Sequence, residues 1–288
     1  MLAVLFAALS GALFGLLAVA VRTGLRRGGD AQAGALVVPG VALVVSAAVA
    51  APSAAGGFAV GDLWPFLVAG AIVPGVSQVL FILAVRHAGP SRTAIVIGTA
   101  PLMSVLIALI ALGEPFKSEL LVATLLLVAG GAALARERVR PEHFRLAGAV
   151  LALTCAGLFA IRDNIVRWAA RGAHPPPLAA ATTALLAAVL FNGAYVLLVR
   201  RADLRDRMRK ALPAFGVAGL ALGVAYDSLF EAFDRGRVSI VAPLNATQSL
   251  WGVALAALVI GRSEAIGPRT VAAGLLVVAG GALIGAFR

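Results

Sequence analysis

Long apolar runs separated by short polar breaks fill almost the whole chain. Because a helix needs about 20 mostly apolar residues to cross the hydrocarbon core of a bilayer, each run predicts a membrane-spanning helix. The predicted spans lie near 2–21, 32–51, 63–85, 93–112, 118–135, 146–166, 178–199, 211–233, 238–260 and 268–287. The pattern therefore predicts an all-α integral membrane protein with ten transmembrane helices. The first run has no basic residues before it, so we expect a retained helix and not a signal peptide.

The composition agrees with a membrane protein and narrows its chemistry. Hydrophobic residues make up 61% of the chain and charged residues 13%, against about 45–50% and about 25% in soluble domains. The net charge is +11, but no basic arm stands out, so we expect no nucleic-acid partner. The single cysteine, Cys155, excludes a disulfide within the chain. Phosphate-loop and zinc-helix motifs are absent from the sequence, so we expect no cofactor, no bound metal and no enzyme activity.

The basic residues predict an orientation. Of the 24 Lys and Arg residues, 17 follow odd-numbered spans and seven follow even-numbered spans. Since cytoplasmic loops carry the excess of Lys and Arg, this count predicts that both termini lie outside. We expect the membrane to be the cell membrane of a bacterium or an archaeon.

The chain also contains an internal duplication. A shift of 150 residues lays 123–134 on 273–284 with 8 of 12 positions identical, and it lays Glu114 on Glu264. The boundary falls near residue 140, so five-helix repeats are predicted over 1–140 and 141–288. Because five is odd, the repeats would cross the membrane in opposite senses. Transporters use such inverted repeats to build a central cavity and to alternate its access.

These residues resemble the ten-helix EamA-type branch of the drug/metabolite transporter superfamily. The most specific part is an apolar span that ends in a Glu and is followed by a span with a Gly-Gly pair. It occurs twice, as Pro101 to Glu114 with Gly130-Gly131, and as Pro243 to Glu264 with Gly280-Gly281. The resemblance implies a two-half bundle around a central cavity and outward movement of small metabolites, often amino acids or drugs.

The chain departs from its relatives in two respects. Relatives often carry a Trp in the first span, where this chain has the region of Gly11. Their termini are usually cytoplasmic, whereas the charge count here predicts external termini. We retain the charge-derived orientation, because the two strongest basic clusters agree with it.

Asp227 is the main candidate for a functional residue. It lies well inside span eight, where an unpaired carboxylate costs roughly 2.5–3.5 kcal/mol, so such residues usually face a cavity, pair with a base or exchange protons. Glu231 follows at i+4 on the same face. Two carboxylates so close do not both ionise easily, so one could carry a proton. A purely structural role for Asp227 is the alternative.

Arg162 and Asp163 form a second candidate group near the end of span six. Spans six and eight run in the same direction, so these residues and Asp227 fall in the same membrane leaflet. Arg162 could therefore reach Asp227 or Glu231. Alternatively, Arg162 and Asp163 begin a solvated loop.

Further polar residues are weaker candidates for a substrate or coupling site, because each is more often a helix-helix hydrogen bond than a ligand contact. Those with the best placement are Tyr226, Gln78, Asn245, Gln248 and Trp251, followed by Ser228, Ser249, Thr99, Asn192 and Tyr195. Glu114 and Glu264 are interpreted as interfacial carboxylates that hold a tight turn to the next helix. The Gly-x3-Gly spacings at 11–15, 219–223 and 281–285 are interpreted as helix-packing sites.

We therefore expect a secondary transporter that exports a small metabolite, such as an amino acid or an amine, by alternating access. A lipid or lipid-precursor flippase is the alternative. An intramembrane aspartyl protease fits less well, because Tyr226-Asp227 has no second catalytic signature, and a channel fits less well because no repeated filter is present. The expected partners are the substrate and membrane lipids. Whether protons are also moved is not determined by the sequence. The protein is expected to be a monomer or a weak homodimer.

Overall fold

The computed structural model describes residues 1–52, 58–88, 96–97, 99–134, 146–172, 175–199 and 204–260, with isolated positions between 272 and 283. Every regular element in this part of the chain is helical. The α-helices are α1 (Leu2–Arg26), α2 (Ala31–Ala50), α3 (Trp64–Gly70), α4 (Ser77–Ala88), α5 (Ala100–Ala111), α6 (Ser118–Leu134), α7 (Leu146–Arg171), α8 (Pro177–Val199), α9 (Leu204–Arg235), α10 (Val238–Asn245) and α11 (Gln248–Ile260). A 3₁₀ turn (Val60–Leu63) precedes α3, and a π-helical segment (Ala71–Val76) joins α3 to α4.

Several helical stretches are suited to a bilayer. By length and composition, five stretches of the described chain could cross a membrane: Leu2–Leu25, Gln32–Ala50, Val60–Phe81, Pro177–Leu198 and Asp206–Arg235. The first nine predicted spans each overlap a described helix, whereas most of the tenth, at 268–287, lies outside the described residues. The all-helical membrane architecture is confirmed, and the number of ten spans stays a prediction.

Two predicted spans are interrupted. The third is broken at the π-helical segment, where Pro74 has no N–H to donate and Val73 adopts extended backbone angles (φ −138°, ψ 119°). The ninth is broken at Ala246 and Thr247, between α10 and α11. Irregular backbone at membrane depth needs internal hydrogen-bond partners. The Val73 carbonyl has one, because the Tyr226 hydroxyl donates to it at 2.9 Å.

Small residues let the helices approach closely, as the Gly-x3-Gly spacings predict. A Cβ atom on Gly219 would lie 2.5 Å from the Cβ of Val41, so α9 contacts α2 at this glycine. A Cβ on Gly15 would lie 2.6 Å from the Cβ of Trp251, which brings α1 against α11. The described glycine pairs therefore serve packing, and the pair at 281–285 lies outside the described residues.

Helices α2 and α9 both begin at one end of the bundle, which we name the Asp30 end. Asp30 caps α2 by accepting hydrogen bonds from the backbone N–H groups of Gln32 (2.8 Å) and Ala33 (3.0 Å). It also accepts from Arg207 Nε at 2.9 Å. Partial burial on its own would raise the pKa of Asp30, but these hydrogen bonds and the Arg207 charge hold it below the ordinary value of 3.8.

At the opposite end, the Trp64 end, α3 begins and α7 and α9 end. Here Arg167 donates from Nη1 to the carbonyls of Phe233 (2.7 Å) and Asp234 (2.9 Å), in the last turn of α9. Arg171 donates from Nη1 to the Leu112 carbonyl, directly after α5, at 2.8 Å. Helix α7 thus satisfies carbonyls that have no partner within their own helices.

Glu114 also lies at the Trp64 end, and the structure corrects its predicted role. Its carboxylate is buried and accepts hydrogen bonds from the N–H groups of Val238 (2.9 Å) and Ser239 (3.1 Å). Glu114 therefore caps α10, which belongs to the other half of the chain, and does not simply hold the turn to α6. Its counterpart Glu264 lies outside the described residues.

Candidate functional site

The predicted charged residues lie at similar depth in two neighbouring helices. At a rise of about 1.5 Å per residue, Arg162 is about 13 Å from the end of α7, and Asp227 is about 12 Å from the end of α9. Both helices end at the Trp64 end. Asp227 and Arg162 thus lie in the same half of the bundle, as their common direction predicts.

Arg162 and Asp163 form a buried ion pair. Arg162 Nε lies 2.8 Å from Asp163 Oδ1. The two residues are 4% and 7% exposed, so the pair is removed from solvent. Ser104 on α5 donates to Asp163 Oδ2 at 3.1 Å, and the Arg162 guanidinium lies 5.5 Å from the centre of the Tyr226 ring. Arg162 therefore pairs with its own neighbour, not with Asp227 or Glu231, and it does not begin a loop, because α7 continues to Arg171.

Asn164 extends this group, which we name the Arg162 cluster: Arg162, Asp163, Asn164, Ser104 and Tyr226. Asn164 Nδ2 donates to the backbone carbonyls of Ser104 (3.0 Å) and Ala160 (2.8 Å). Among the described residues, four atoms of the cluster are buried without a hydrogen-bond partner. Arg162 Nε and Asp163 Oδ1 face each other as the ion pair, which leaves Arg162 Nη1 and Asn164 Oδ1. Buried polar atoms are nearly always paired, so these two are candidates for contact with a ligand or an ordered water.

Asp227 lies on another face of α9, between α2 and α8. It is 6% exposed, and Ser46 Oγ on α2 donates to its Oδ1 at 2.5 Å. The Ser46 hydroxyl also lies 2.8 Å from the hydroxyl of Thr182 on α8, which donates to the Leu178 carbonyl at 2.8 Å. We name Asp227, Ser46 and Thr182 the Asp227 chain. It places one carboxylate at the end of a row of hydroxyl groups.

The remaining candidates do not join these two groups through any contact found among the described residues. Glu231 pairs with Arg235 one turn along α9. Asn245 and Gln248 flank the break between α10 and α11, and Asn245 Oδ1 is buried without a hydrogen-bond partner in the described part of the chain. Trp251 packs on Gly15, and Gln78 is half-buried near the start of α4.

The weaker candidates mostly bond locally. Thr99 donates to the Val96 carbonyl (2.7 Å), and Ser228 donates to the Val224 carbonyl (2.8 Å), each within one turn. Asn192 is buried in α8, where its amide atoms have no partner among the described residues. Tyr195 is half-buried, and the side chain of Ser249 lies outside the described part.

Four polar residues of these groups were not selected from the sequence: Ser46, Ser104, Asn164 and Thr182. Three are small hydroxyl residues in apolar runs, where the sequence does not distinguish them from packing residues. Asn164 had a usable signal, because it directly follows Arg162 and Asp163. Within the described chain, no group of three His, Cys, Asp or Glu side chains is close enough to hold a metal ion.

Apolar helices of membrane-spanning length, with charged side chains buried between them, define an integral membrane protein with a polar interior. The chain matches the EamA-like transporter family over residues 1–135 and 146–286 and belongs to this family. The members of this family are transporters.

Comparison with individual proteins adds support for the fold only. No curated protein matches the chain. One solved structure, described only as "Crystal structure of protein", superimposes with a TM-score of 0.79, covering 99% of this chain and 96% of its own. The two sequences are 20% identical, so this similarity concerns the fold and not the substrate.

Proposed function

We propose that the protein is a secondary transporter that exports a small metabolite, such as an amino acid or an amine, by alternating access. In this proposal its ten spans form two inverted five-helix repeats around a central cavity. The observation that carries it is the presence of two separate charged groups, the Arg162 cluster and the Asp227 chain, buried in one half of the bundle. Buried charges in membrane helices cost free energy and are typical of substrate and ion pathways.

The Asp227 chain suits a group that gains and loses a proton. When Asp227 is ionised, Ser46 donates to it, as in the structure. When Asp227 is protonated, it can donate to Ser46, Ser46 to Thr182, and Thr182 to the Leu178 carbonyl. Because hydroxyl groups rotate freely, the same heavy-atom positions satisfy both states. This arrangement supports Asp227 as the residue that exchanges a proton or contacts an amine.

The Arg162 cluster suits an anionic group of the substrate. Arg162 has a buried Nη1 atom without a partner among the described residues, while Asp163 balances its charge. An incoming carboxylate would complete the hydrogen bonds of the guanidinium. Charge-assisted bonds to arginine are short and strong, so such a contact would select for carboxylates.

Asp227→Asn tests the coupling role. The variant keeps an oxygen that accepts from Ser46, so it should fold, but it cannot exchange a proton. We expect uptake of labelled amino acids or amines into proteoliposomes to be lost. Asp206→Asn is the matched control, because Asp206 lies on the same helix in an exposed position. Normal transport by Asp227→Asn would exclude the mechanism.

A thermal-shift screen would identify the substrate class first. A ligand at 100 times its dissociation constant stabilises a protein by about 2.7 kcal/mol. Stabilisation by amino acids or amines supports the metabolite exporter. The flippase is the second candidate, because the unpartnered Nη1 of Arg162 could instead take a head-group phosphate. Stabilisation only by phosphorylated head-group analogues would favour it.

The orientation with both termini outside is part of the proposal. Cys155 is buried, so a cysteine introduced at an exposed position would be the reactive one. A cysteine next to Arg205 should be labelled only from the cytoplasm. Labelling only from outside would reverse the orientation and would place the Trp64 end on the cytoplasmic side.

A further inference from the structure

A cavity of about 280 Å³ lies at the Trp64 end, between α3 and α7. Both halves of the chain line it: Asp62, Trp64 and Pro65 come from the first, and Trp168 and Arg171 come from the second. It is separate from the Arg162 cluster and the Asp227 chain, none of whose residues line it. The cavity therefore lies on the seam between the two halves.

The two tryptophans form an aromatic wall of this cavity. Their ring centres are 6.2 Å apart with an interplanar angle of 65°, and the residues are 57% and 52% exposed. Indole faces attract ammonium groups and also bind apolar groups. Tryptophans at the membrane interface are common as anchors, which accounts for the rings alone. An anchoring role does not account for the opposite charges that line the same cavity.

Asp62 and Arg171 supply those charges. Arg171 Nη1 donates to the Leu112 carbonyl at 2.8 Å, and Arg171 Nη2 lies 3.9 Å from Oε1 of the buried Glu114 carboxylate. A guanidinium carries five N–H groups, and the Arg171 side chain is 38% exposed. Arg171 can therefore bind an anionic group while it keeps its contact with Leu112. Asp62 lies in the 3₁₀ turn before α3 and can accept from a cationic group.

We propose that this cavity is an outer binding site for a zwitterionic molecule of amino-acid size with an apolar side chain. Its ammonium group contacts Asp62 and an indole face, its carboxylate contacts Arg171, and its side chain packs on the tryptophans. Pockets for drug-sized ligands occupy about 300–1,000 Å³, so this cavity suits a smaller molecule. The site rests on the proposed function only for the idea that its occupant is the transported molecule, which an exporter with external termini releases at this end of the bundle.

Intrinsic fluorescence tests the site directly, because Trp64 and Trp168 are two of the three tryptophans in the chain. The purified full-length protein is titrated with L-leucine, L-methionine and L-phenylalanine. Leucinamide lacks the carboxylate, and 4-methylpentanoate lacks the ammonium group. We expect a saturable fluorescence change with at least one amino acid, and each leucine analogue should bind about 10–100-fold more weakly than L-leucine.

Asp62→Asn should also weaken amino-acid binding by about 10–100-fold. Glu119→Gln is the matched control, because it removes a negative charge at the same end of the bundle without lining the cavity. The proposal is overturned if no amino acid changes the fluorescence, if the analogues bind as well as L-leucine, or if Asp62→Asn binds like Glu119→Gln.

The test also separates this site from the proposed function. The Asp227→Asn variant should keep the fluorescence response although it does not transport. A response without transport in the unmodified protein would support the site and contradict the exporter. Transport of the same amino acids without any response would contradict the site alone.

Discussion

The Arg162 cluster and the Asp227 chain solve the problem of a buried charge in different ways. In the first, opposite charges lie 2.8 Å apart and balance each other. In the second, a single carboxylate is held by the Ser46 hydroxyl and has no cationic partner among the described residues. Fixed opposite charges favour one protonation state, whereas rotating hydroxyl groups accommodate two. The comparison indicates a binding role for Arg162 and a proton-exchange role for Asp227.

Removing one charge of the ion pair should have the largest effect. Asp163→Asn leaves Arg162 buried without its counter-charge, and breaking a buried pair in this way costs about 3–5 kcal/mol. We expect a large fall in the thermal unfolding temperature in detergent. The double variant Arg162→Met/Asp163→Asn should recover most of the loss, because it leaves no unpaired charge. A loss below about 1 kcal/mol in the single variant would show that water reaches the pair.

Removing the hydroxyl donor to Asp227 should have an intermediate effect. Ser46→Ala leaves a buried carboxylate without its donor, which costs about 1–3 kcal/mol, and it interrupts the chain to Thr182. Transport should fall together with stability. Ser10→Ala is the matched control, because Ser10 is also buried and donates to α9, but to the Ala225 carbonyl at 2.9 Å. Equal transport by both variants would remove the hydroxyl chain from the mechanism.

The ion pair at the Asp30 end should matter least. Asp30 is 38% exposed, so solvent screens its contact with Arg207, and Asp30→Asn should cost no more than about 1 kcal/mol. The pKa of Asp30 is lower in the folded protein than its ordinary value of 3.8. Its contribution is therefore present above about pH 4 and is lost as the pH falls through the folded pKa. The unfolding temperatures of the Asp30→Asn variant and the unmodified protein should converge at acidic pH. A constant difference at all pH values would contradict this expectation.

The sequence was sufficient to predict most of the fold. Runs of apolar residues identified where the described helices lie, but α9 begins seven residues before its predicted span, α7 ends five residues after its own, and spans three and nine are each broken. The common direction of spans six and eight placed Arg162 and Asp227 in the same half of the bundle. Ion-pair partners were harder to predict. Consecutive residues such as Tyr226 and Asp227 are about 100° apart around a helix, so the rotation of α9 decides which of them meets Arg162. That rotation depends on packing against α1 and α2, which one sequence does not reveal.

The hydroxyl partners were beyond sequence reasoning for a second reason. Ser46 and Thr182 lie 136 positions apart and meet only after α2 packs against α8. A lone Ser or Thr in an apolar run commonly donates to a carbonyl of its own helix, as Thr124 does to Leu120 at 2.7 Å. Thr182 makes the same kind of local bond, to the Leu178 carbonyl, and also contacts Ser46, so only the fold reveals the link between the two hydroxyl groups.

The position of the ion pair also bears on how the protein is made. Both charges belong to α7, so the two side chains can pair as soon as that helix forms, before α9 has been synthesised. A lone charge at the centre of an inserting helix costs roughly 2.5–3.5 kcal/mol on insertion scales. Asp227 enters later, when α2 and its Ser46 are already in the membrane. In each case the nascent chain has the partner in place by the time the charge enters the bilayer.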